Sequence, residues 1–419
     1  MKSSLGKSIF VYTLSNLFSS ALPFILLPFL THYLSPKDYG ILSNLTGFLA
    51  IVMPLVGINF VSAFSRQYYK KEINIKTYVS SGISLQFILA IGISSLFLIF
   101  DNYIKELTGI DLFFIRVSGV YCLIFGLSEI ILTEWRLENQ VWKFAVFRVL
   151  RTLVEIGLTF FFILYLGMNY QGRILGIYIA ALIGMLIILY LLINKGYFKF
   201  SFNKSYIKHI LKFGIPLIPH ALGASIIVFS DKIIITNFIN LEANGIYSVA
   251  FQIALIIGLF QNSFNQAWVP WFYESLTKSS NYIKRKIVRI TYTYYLGLIL
   301  LTVLLIIFTP FIFKILGKEF NVGSDLVAWI AFGFLFNGMY KMVVNYLFYM
   351  EKTVIIGCIT IASAFLNIIL NVILIDFYGL KGAAIATSST FLFQFVLVWI
   401  FAQKYHPMPW FNFNNNDKN

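Results

Sequence analysis

FGIPLIPHALGASIIVFSDKIIITNFI, from Phe213 to Ile239, decides how the rest of the chain is read. An apolar run of about 20 residues suffices to cross a bilayer, and this one also contains His220, Asp231 and Lys232. Ionisable groups at membrane depth are costly and mark substrate or ion paths. His220 and Asp231 stand 11 residues apart, about three helical turns, so one helix face carries both with Pro216, Ala224 and Ile227. That face is expected to turn away from lipid. Pro216 and Pro219 each lack a backbone donor and free a carbonyl, which predicts a kinked helix whose freed groups meet neighbouring helices or a watery cavity.

Outward from this stretch the chain is equally apolar. It has 419 residues, 59% hydrophobic and 12% charged, with mean hydropathy +0.82; soluble domains carry about 25% charged residues. Apolar runs of helical length separated by short polar breaks predict an all-α polytopic membrane protein, since a barrel would show strands of about ten alternating residues. Twelve spans are expected, at 9–31, 40–64, 78–100, 112–133, 147–167, 174–194, 213–239, 245–269, 288–313, 324–349, 354–376 and 382–403. The first is read as a retained span, for it lacks an early small-residue cleavage site. Cys122 and Cys358 both fall in apolar runs and are expected as small core residues, with no disulfide framework and no metal pair.

With both termini inside, the 32 basic residues divide as 23 in inside segments, 6 in outside segments and 3 within spans (Arg116, Lys232 and Lys341). This asymmetry predicts cytoplasmic termini. It also disposes of the net charge of +15 as a sign of nucleic-acid binding, because the excess is spread over every inside loop.

Pro28 to Ser43, PFLTHYLSPKDYGILS, matches IITNFINLEANGIYS, which ends at Ser248, with Gly40 over Gly245 at an offset of 205. A weaker match sets Gly176 to Ala181 over Gly382 to Thr387 at an offset of 206. Six spans between copies give them one orientation, a parallel repeat of two six-helix lobes. The expected domains are 1–194, a basic cytoplasmic linker 195–212, a second lobe 213–403 and a tail 404–419.

Phe365 to Phe391, FLNIILNVILIDFYGLKGAAIATSSTF, together with the LPFLTHYLSPKDYG, IPHALG, SDKIII and GIYS segments, resembles Wzx-type flippases. These belong to the multidrug/oligosaccharidyl-lipid/polysaccharide flippase superfamily and serve O-antigen and capsule synthesis. The resemblance covers nearly the whole chain. It implies translocation of an undecaprenyl-pyrophosphate-linked oligosaccharide from the inner to the outer leaflet of the bacterial cytoplasmic membrane by alternating access, with no cofactor. It leaves open whether H⁺ or Na⁺ is coupled and which other polysaccharide assembly proteins are partners.

Carrying such a head group across hydrocarbon needs cations for phosphate and hydrogen-bonding groups for sugar. Asn337, Lys341 and Asn345 form an i, i+4, i+8 stripe on the tenth span. They are the leading substrate-binding candidates; the plainer alternative is a lysine that snorkels or pairs with a carboxylate. Asp231 and Lys232 diverge by about 100° around their helix, so either is a candidate cavity group, or the two serve a structural ion pair. Arg116 lies near the outer end of the fourth span, where snorkelling competes with ligand contact. Arg148 and Arg151 open the fifth span and could meet pyrophosphate at the inner leaflet; Arg151 and Glu155 are also spaced as an i, i+4 pair. Asp231, Glu129 and His220 are the ion-coupling candidates, His220 because imidazole titrates near neutrality; the plainer alternatives are a structural partner for Glu129 and, favoured for His220, a buried ring satisfied by a freed carbonyl. Neutral stripes at Thr360, Ser363, Asn367 and Asn371, at Asn262, Asn265 and Gln266, and at Thr387 to Thr390 read first as helix-packing groups.

No phosphate loop, HExxH or CxxC motif is present, so an enzyme is not expected. Two rivals remain: a multidrug or cation antiporter of the same superfamily, which would favour an acidic cavity, and a polysaccharide polymerase or ligase, which would need a larger outer loop than Asp101 to Asp111.

Overall fold

The computed structural model describes residues 21–410 without 71, 72, 200, 278 and 279, and without the side chains of His220 and Ala224. Among the described residues all regular structure is helical. Ala21–Tyr33 (α1) leads to α2 (Pro36–Gly57), α3 (Phe60–Gln67), α4 (Ile75–Thr108), α5 (Leu112–Leu137), α6 (Val141–Phe160), α7 (Tyr170–Asn194) and α8 (Lys204–Gly214). Then come α9 (Ile218–Phe238), α10 (Leu241–Thr277), α11 (Asn281–Ile315), α12 (Ser324–Tyr349), α13 (Thr353–Tyr378) and α14 (Leu380–Tyr405).

Nine described helices are long and apolar enough to span a membrane: α2, α4, α5, α7, α10, α11, α12 with its leading turn, α13 and α14. α8 and α9 together would make a tenth, bent by 44°. Of the other two expected spans, one opens before α1 in residues outside those described. The other is α6, charged at Lys143, Arg148, Arg151 and Glu155, which runs on through a π turn at Phe161–Tyr165.

The second span is not one continuous helix. Ile58 and Asn59 take left-handed φ values of 44° and 51° and separate α2 from α3. For a β-branched residue that conformation is strained. Gln86 Nε2 donates to the Gly57 carbonyl at 3.3 Å and Asn59 Nδ2 to the Gly214 carbonyl at 3.5 Å, meeting part of the need that a broken helix creates in hydrocarbon. The expected proline kink also takes another form. Pro216 sits in a 3₁₀ turn and Pro219 is the second residue of α9, where a missing N–H costs little, and the 44° bend falls between Gly223 and Ser225. The single face drawn through Pro216 and Asp231 is therefore interrupted.

The chain forms two compact units, Met1–Thr236 and Asn237–Asn419. In the first, α5 packs on α2, α4, α6 and α7, α2 on α4, and α6 on α7; in the second, α12 packs on α10, α11, α13 and α14, α10 on α11, and α13 on α14. Substituting α2, α4, α5, α6, α7 by α10, α11, α12, α13, α14 turns one set of pairs into the other. The repeat seen in sequence is thus a repeat of packing.

Both sequence matches mark equivalent points. Ser35 caps α2 in a capping box with Asp38, and Asn240 Oδ1 caps α10 by accepting from the Ala243 N–H at 2.8 Å; Gly40 and Gly245 are the fifth residues of those helices. Gly176 and Gly382 are where α7 meets α6 and α14 meets α13. A Cβ on Gly176 would lie 2.7 Å from Thr159 Oγ1, and one on Gly382 would overlap the Leu374 carbonyl.

Candidate functional site

α10 and α12 build the clearest polar seam of the second unit. Steps of four residues put Asn337, Lys341 and Asn345 on one side of α12, with Asn345 buried and Lys341 half-buried. Across the seam, Lys341 Nζ donates to Asn262 Oδ1 at 2.7 Å and Asn345 Nδ2 to Asn265 Oδ1 at 3.3 Å. Asn345 Nδ2 also returns to the Lys341 carbonyl at 2.8 Å. One rung further toward the helix starts, Gln261 Nε2 donates to the Phe334 carbonyl at 2.5 Å. Among the described residues no carboxylate pairs with Lys341. Its charge is held by amides, whose dipoles orient an ammonium without cancelling it. The Asn337 side chain makes no hydrogen bond with the described residues, and Gln266 is exposed on α10, so donors and acceptors stand on either side of the cation.

In the first unit the cations gather between α5 and α6. Arg148 lies over the Phe144 ring at 5.3 Å, Arg136 over the same ring at 5.8 Å, and Arg151 over Phe125 at 5.9 Å. A stacked guanidinium has its face covered while its N–H edge can still donate, as Arg136 does to Thr133 Oγ1 at 2.6 Å. Glu129 is engaged by Arg136 at 3.7 Å, leaving one carboxylate among three arginines. The i, i+4 spacing of Arg151 and Glu155 does not produce an ion pair. Arg173 takes Glu155 at 2.8 Å and also donates to Thr159 Oγ1 at 3.0 Å, and Arg151 has no hydrogen-bonding or ionic partner among the described residues.

Asp231 and Lys232 are both buried on α9. Lys232 Nζ approaches the Ser43 carbonyl of α2 at 3.4 Å, one turn beyond it Thr236 Oγ1 accepts from Asn44 Nδ2 at 3.0 Å, and one turn before it Phe229 lies on Gly47. This seam fastens α9 to α2 within the first unit. The His220 side chain lies outside the described residues.

Arg116 is held by Asp101, with Nε at 2.7 Å and Nη2 at 2.6 Å from the same carboxylate oxygen. The reading of Cys358 as a core residue is corrected, because α13 turns it outward; Cys122 is buried. Thr360, Ser363, Asn367 and Asn371 are all buried along α13. Tyr247 and Thr387 hydroxyls lie 3.0 Å apart, and Ser388 bonds the Trp329 carbonyl, so these neutral groups tie helices together.

Three polar groups escaped sequence reasoning. Arg173 was counted with an outside loop, but it stands in α7 with 13% of its side chain exposed. Its signal was the Glu155–Thr159 spacing on the preceding helix. Glu134, almost fully buried, holds Lys195 at 3.0 Å and accepts from Tyr197 Oη at 2.5 Å, tying the end of α7 to α5. Asp101, the partner of Arg116, shares its short helical hairpin with Glu106 and Asp111, so spacing alone did not single it out.

Repeated helical units of membrane-spanning length, carrying partly buried cations and amides, define a polytopic membrane protein. The fold is that of solved membrane transporters. An inward-facing multidrug resistance MATE family transporter of the MOP superfamily superposes with TM-score 0.79 at 14% identity, covering 95% of this chain and 97% of that one. The lipid II flippase MurJ, in an inward closed conformation, gives TM-score 0.75 at 19% identity over 94% and 87% of the two chains. Residues 5–276 match the polysaccharide biosynthesis protein family, and the chain belongs to it. Relatives include the low-salt glycan biosynthesis flippase Agl15 of Haloferax volcanii, 22% identical over 94% of this chain and 82% of that protein. A protein named as an O-antigen transporter in Shigella flexneri is 22% identical over 93% and 96%.

Proposed function

We propose that this protein is a flippase for lipid-linked oligosaccharides, carrying repeat units on undecaprenyl pyrophosphate from the inner to the outer leaflet of a bacterial cytoplasmic membrane for surface polysaccharide assembly. The observation that carries the reading is Lys341, a cation deep in a membrane helix held by Asn262 and by no described carboxylate. A pyrophosphate oxygen would supply the missing negative charge, and Asn262, Asn265, Gln266 and Asn337 would meet sugar hydroxyls. Arg148 and Arg151 form a second phosphate contact. The family and the names of the two relatives support this substrate class.

Alternating access would move two lobes, 1–194 and 213–403, about the basic linker 195–212; the recurring set of helix pairs supports two repeated halves, while α8 and α9 pack with the first of them. Asp231, Glu129 and His220 remain the groups proposed to couple H⁺ or Na⁺; of these Glu129 is already engaged by Arg136. A drug antiporter would need free acidic groups for cationic cargo, which the seam around Lys341 lacks among the described residues.

The test is reconstitution in liposomes with labelled undecaprenyl-pyrophosphate oligosaccharide in one leaflet. Wild type should deliver it to the other leaflet and Lys341→Ala should not. Wild-type protein that is folded, supplied with its own substrate and an ion gradient, and still inactive would overturn the reading.

A further inference from the structure

We propose that the exposed face of α8 is a docking site for the acidic phospholipid headgroups of the inner leaflet. Lys204, Lys208 and Lys212 repeat every four residues and are all exposed, so three ammonium groups line one side of the helix. Ile207, Leu211 and Ile215 lie between them, and together they line an open groove of about 570 Å³. None of the three lysines forms an ion pair among the described residues. From Glu155 to Asp231 the sequence contains no acidic residue, so no neighbour in the chain competes for these charges.

The opposite face is fastened down. His209 nitrogens lie 2.8 Å from Gln67 Nε2 and 3.1 Å from Tyr78 Oη, Tyr206 Oη accepts from the Asn74 N–H at 3.3 Å, and Ile210 is buried. Asn203 caps the helix at Ser205 and Tyr206. The cationic face of α8 is therefore held outward by two helices of the same unit, α3 and α4.

The apolar floor decides which polyanion fits. Phe202, Ile215 and Leu217 are 52%, 53% and 37% exposed beside the lysines. A nucleic acid or a free phosphate would leave those side chains in water, whereas a phospholipid offers phosphate to the ammonium groups and acyl chain to the apolar ones, as at interfacial amphipathic helices. Because α8 runs on through the Ile215–Leu217 turn into the first turns of α9, ahead of the 44° bend, occupancy of the groove would hold the start of the helix that bears Asp231 and Lys232.

The full-length protein in detergent would be titrated with dioleoylphosphatidylglycerol or dioleoylphosphatidylcholine, counting bound lipids by native mass spectrometry. Wild type should bind the acidic lipid at least tenfold more tightly. Lys204→Gln/Lys208→Gln/Lys212→Gln should lose that preference tenfold or more, and the corresponding triple arginine variant should keep it. Lys284→Gln/Arg285→Gln/Lys286→Gln, which removes equal charge from another inside segment, should also keep it. If the triple glutamine variant unfolds, Lys208→Gln alone should weaken binding by a smaller factor. Equal binding of the two lipids by wild type, equal phosphatidylglycerol binding by wild type and the folded α8 variants, or displacement of phosphatidylglycerol by equimolar undecaprenyl pyrophosphate would overturn the proposal. The readout needs no transport, so it stands or falls apart from the flippase reading.

Discussion

Lys341 Nζ and Asn262 Oδ1 meet at 2.7 Å across the α10–α12 seam, a cation facing an amide where a structural ion pair would place a carboxylate. Asn262→Asp would supply that carboxylate. In a low-dielectric site the new pair would neutralise the charge and compete with any phosphate. Transport should fall at least tenfold while the melting temperature stays level or rises. Lys341→Arg should retain measurable transport. If Asn262→Asp transports normally, Lys341 does not meet the cargo.

Arg151 differs from Arg116 in its partners. Arg116 is tied to Asp101, whereas Arg151 is stacked on Phe125 with its N–H groups unengaged by described residues. Arg151→Ala should raise the apparent KM for lipid-linked oligosaccharide several-fold with little change in melting temperature. Arg116→Ala, which strips the cation from an Asp101 carboxylate only 4% exposed, should lower the melting temperature and leave transport unchanged. The pair of variants, assayed side by side in proteoliposomes, separates contact from scaffold.

The helices were legible because each span's apolar run had to satisfy the bilayer, and the repeat was legible because Gly40 and Gly245 occupy the same step of a capped helix. The break at Ile58 and Asn59 was missed, although Pro54, Gly57 and Asn59 all weaken a helix there; contacts from Gln86 and Gly214, distant in sequence, accompany it. Of the site, the Lys341 stripe could be read from spacing alone. Its partner helix could not be chosen, because Asn262 and Asn265 looked like any packing amides until α10 and α12 were neighbours. Arg151 and Glu155 show the converse: local spacing proposed a pair that Arg173, from the next helix, takes over.

His406 ends α14 beyond the membrane segment, with its ring 5.5 Å from the Tyr346 ring and its Nδ1 buried without a partner among the described residues. Burial, with Lys284 adding to it, lowers its pKa below the ordinary 6.5. A histidine that resists protonation when folded binds fewer protons than the unfolded chain, so its contribution to stability is complete above about pH 6.5 and is lost as pH falls below it. Thermal unfolding in detergent should show a decline from pH 7 to pH 5 that is shallower in His406→Gln. An unchanged slope would remove His406 as its source.

Glu134 sits almost wholly buried between Lys195 and Tyr197. Glu134→Ala would strand Tyr197 Oη and release a lysine that is 30% exposed. Breaking a buried pair costs about 3–5 kcal/mol, reduced here to about 2 kcal/mol because the lysine can reach water. A lower melting temperature is expected, with Glu134→Gln falling less because its amide can still accept from Tyr197.

Gly176 and Gly382 stand at equivalent helix crossings of the two units, yet their surroundings differ in hardness. At Gly176 the nearest obstacle is the Thr159 hydroxyl, with the Thr159 backbone nitrogen next at 3.0 Å; at Gly382 it is the Leu374 carbonyl. The Thr159 oxygen can shift at the cost of loosening its bonds to Arg173 and the Glu155 carbonyl, but a helical carbonyl moves only with its helix. Overpacking costs about 1–3 kcal/mol, and Gly176→Ala should fall at the low end and Gly382→Ala at or above the high end. Melting temperatures of the two purified variants test the order. A Gly382→Ala protein as stable as wild type would mean that α13 and α14 separate without cost, and the tight hairpin would not be a requirement of the second unit.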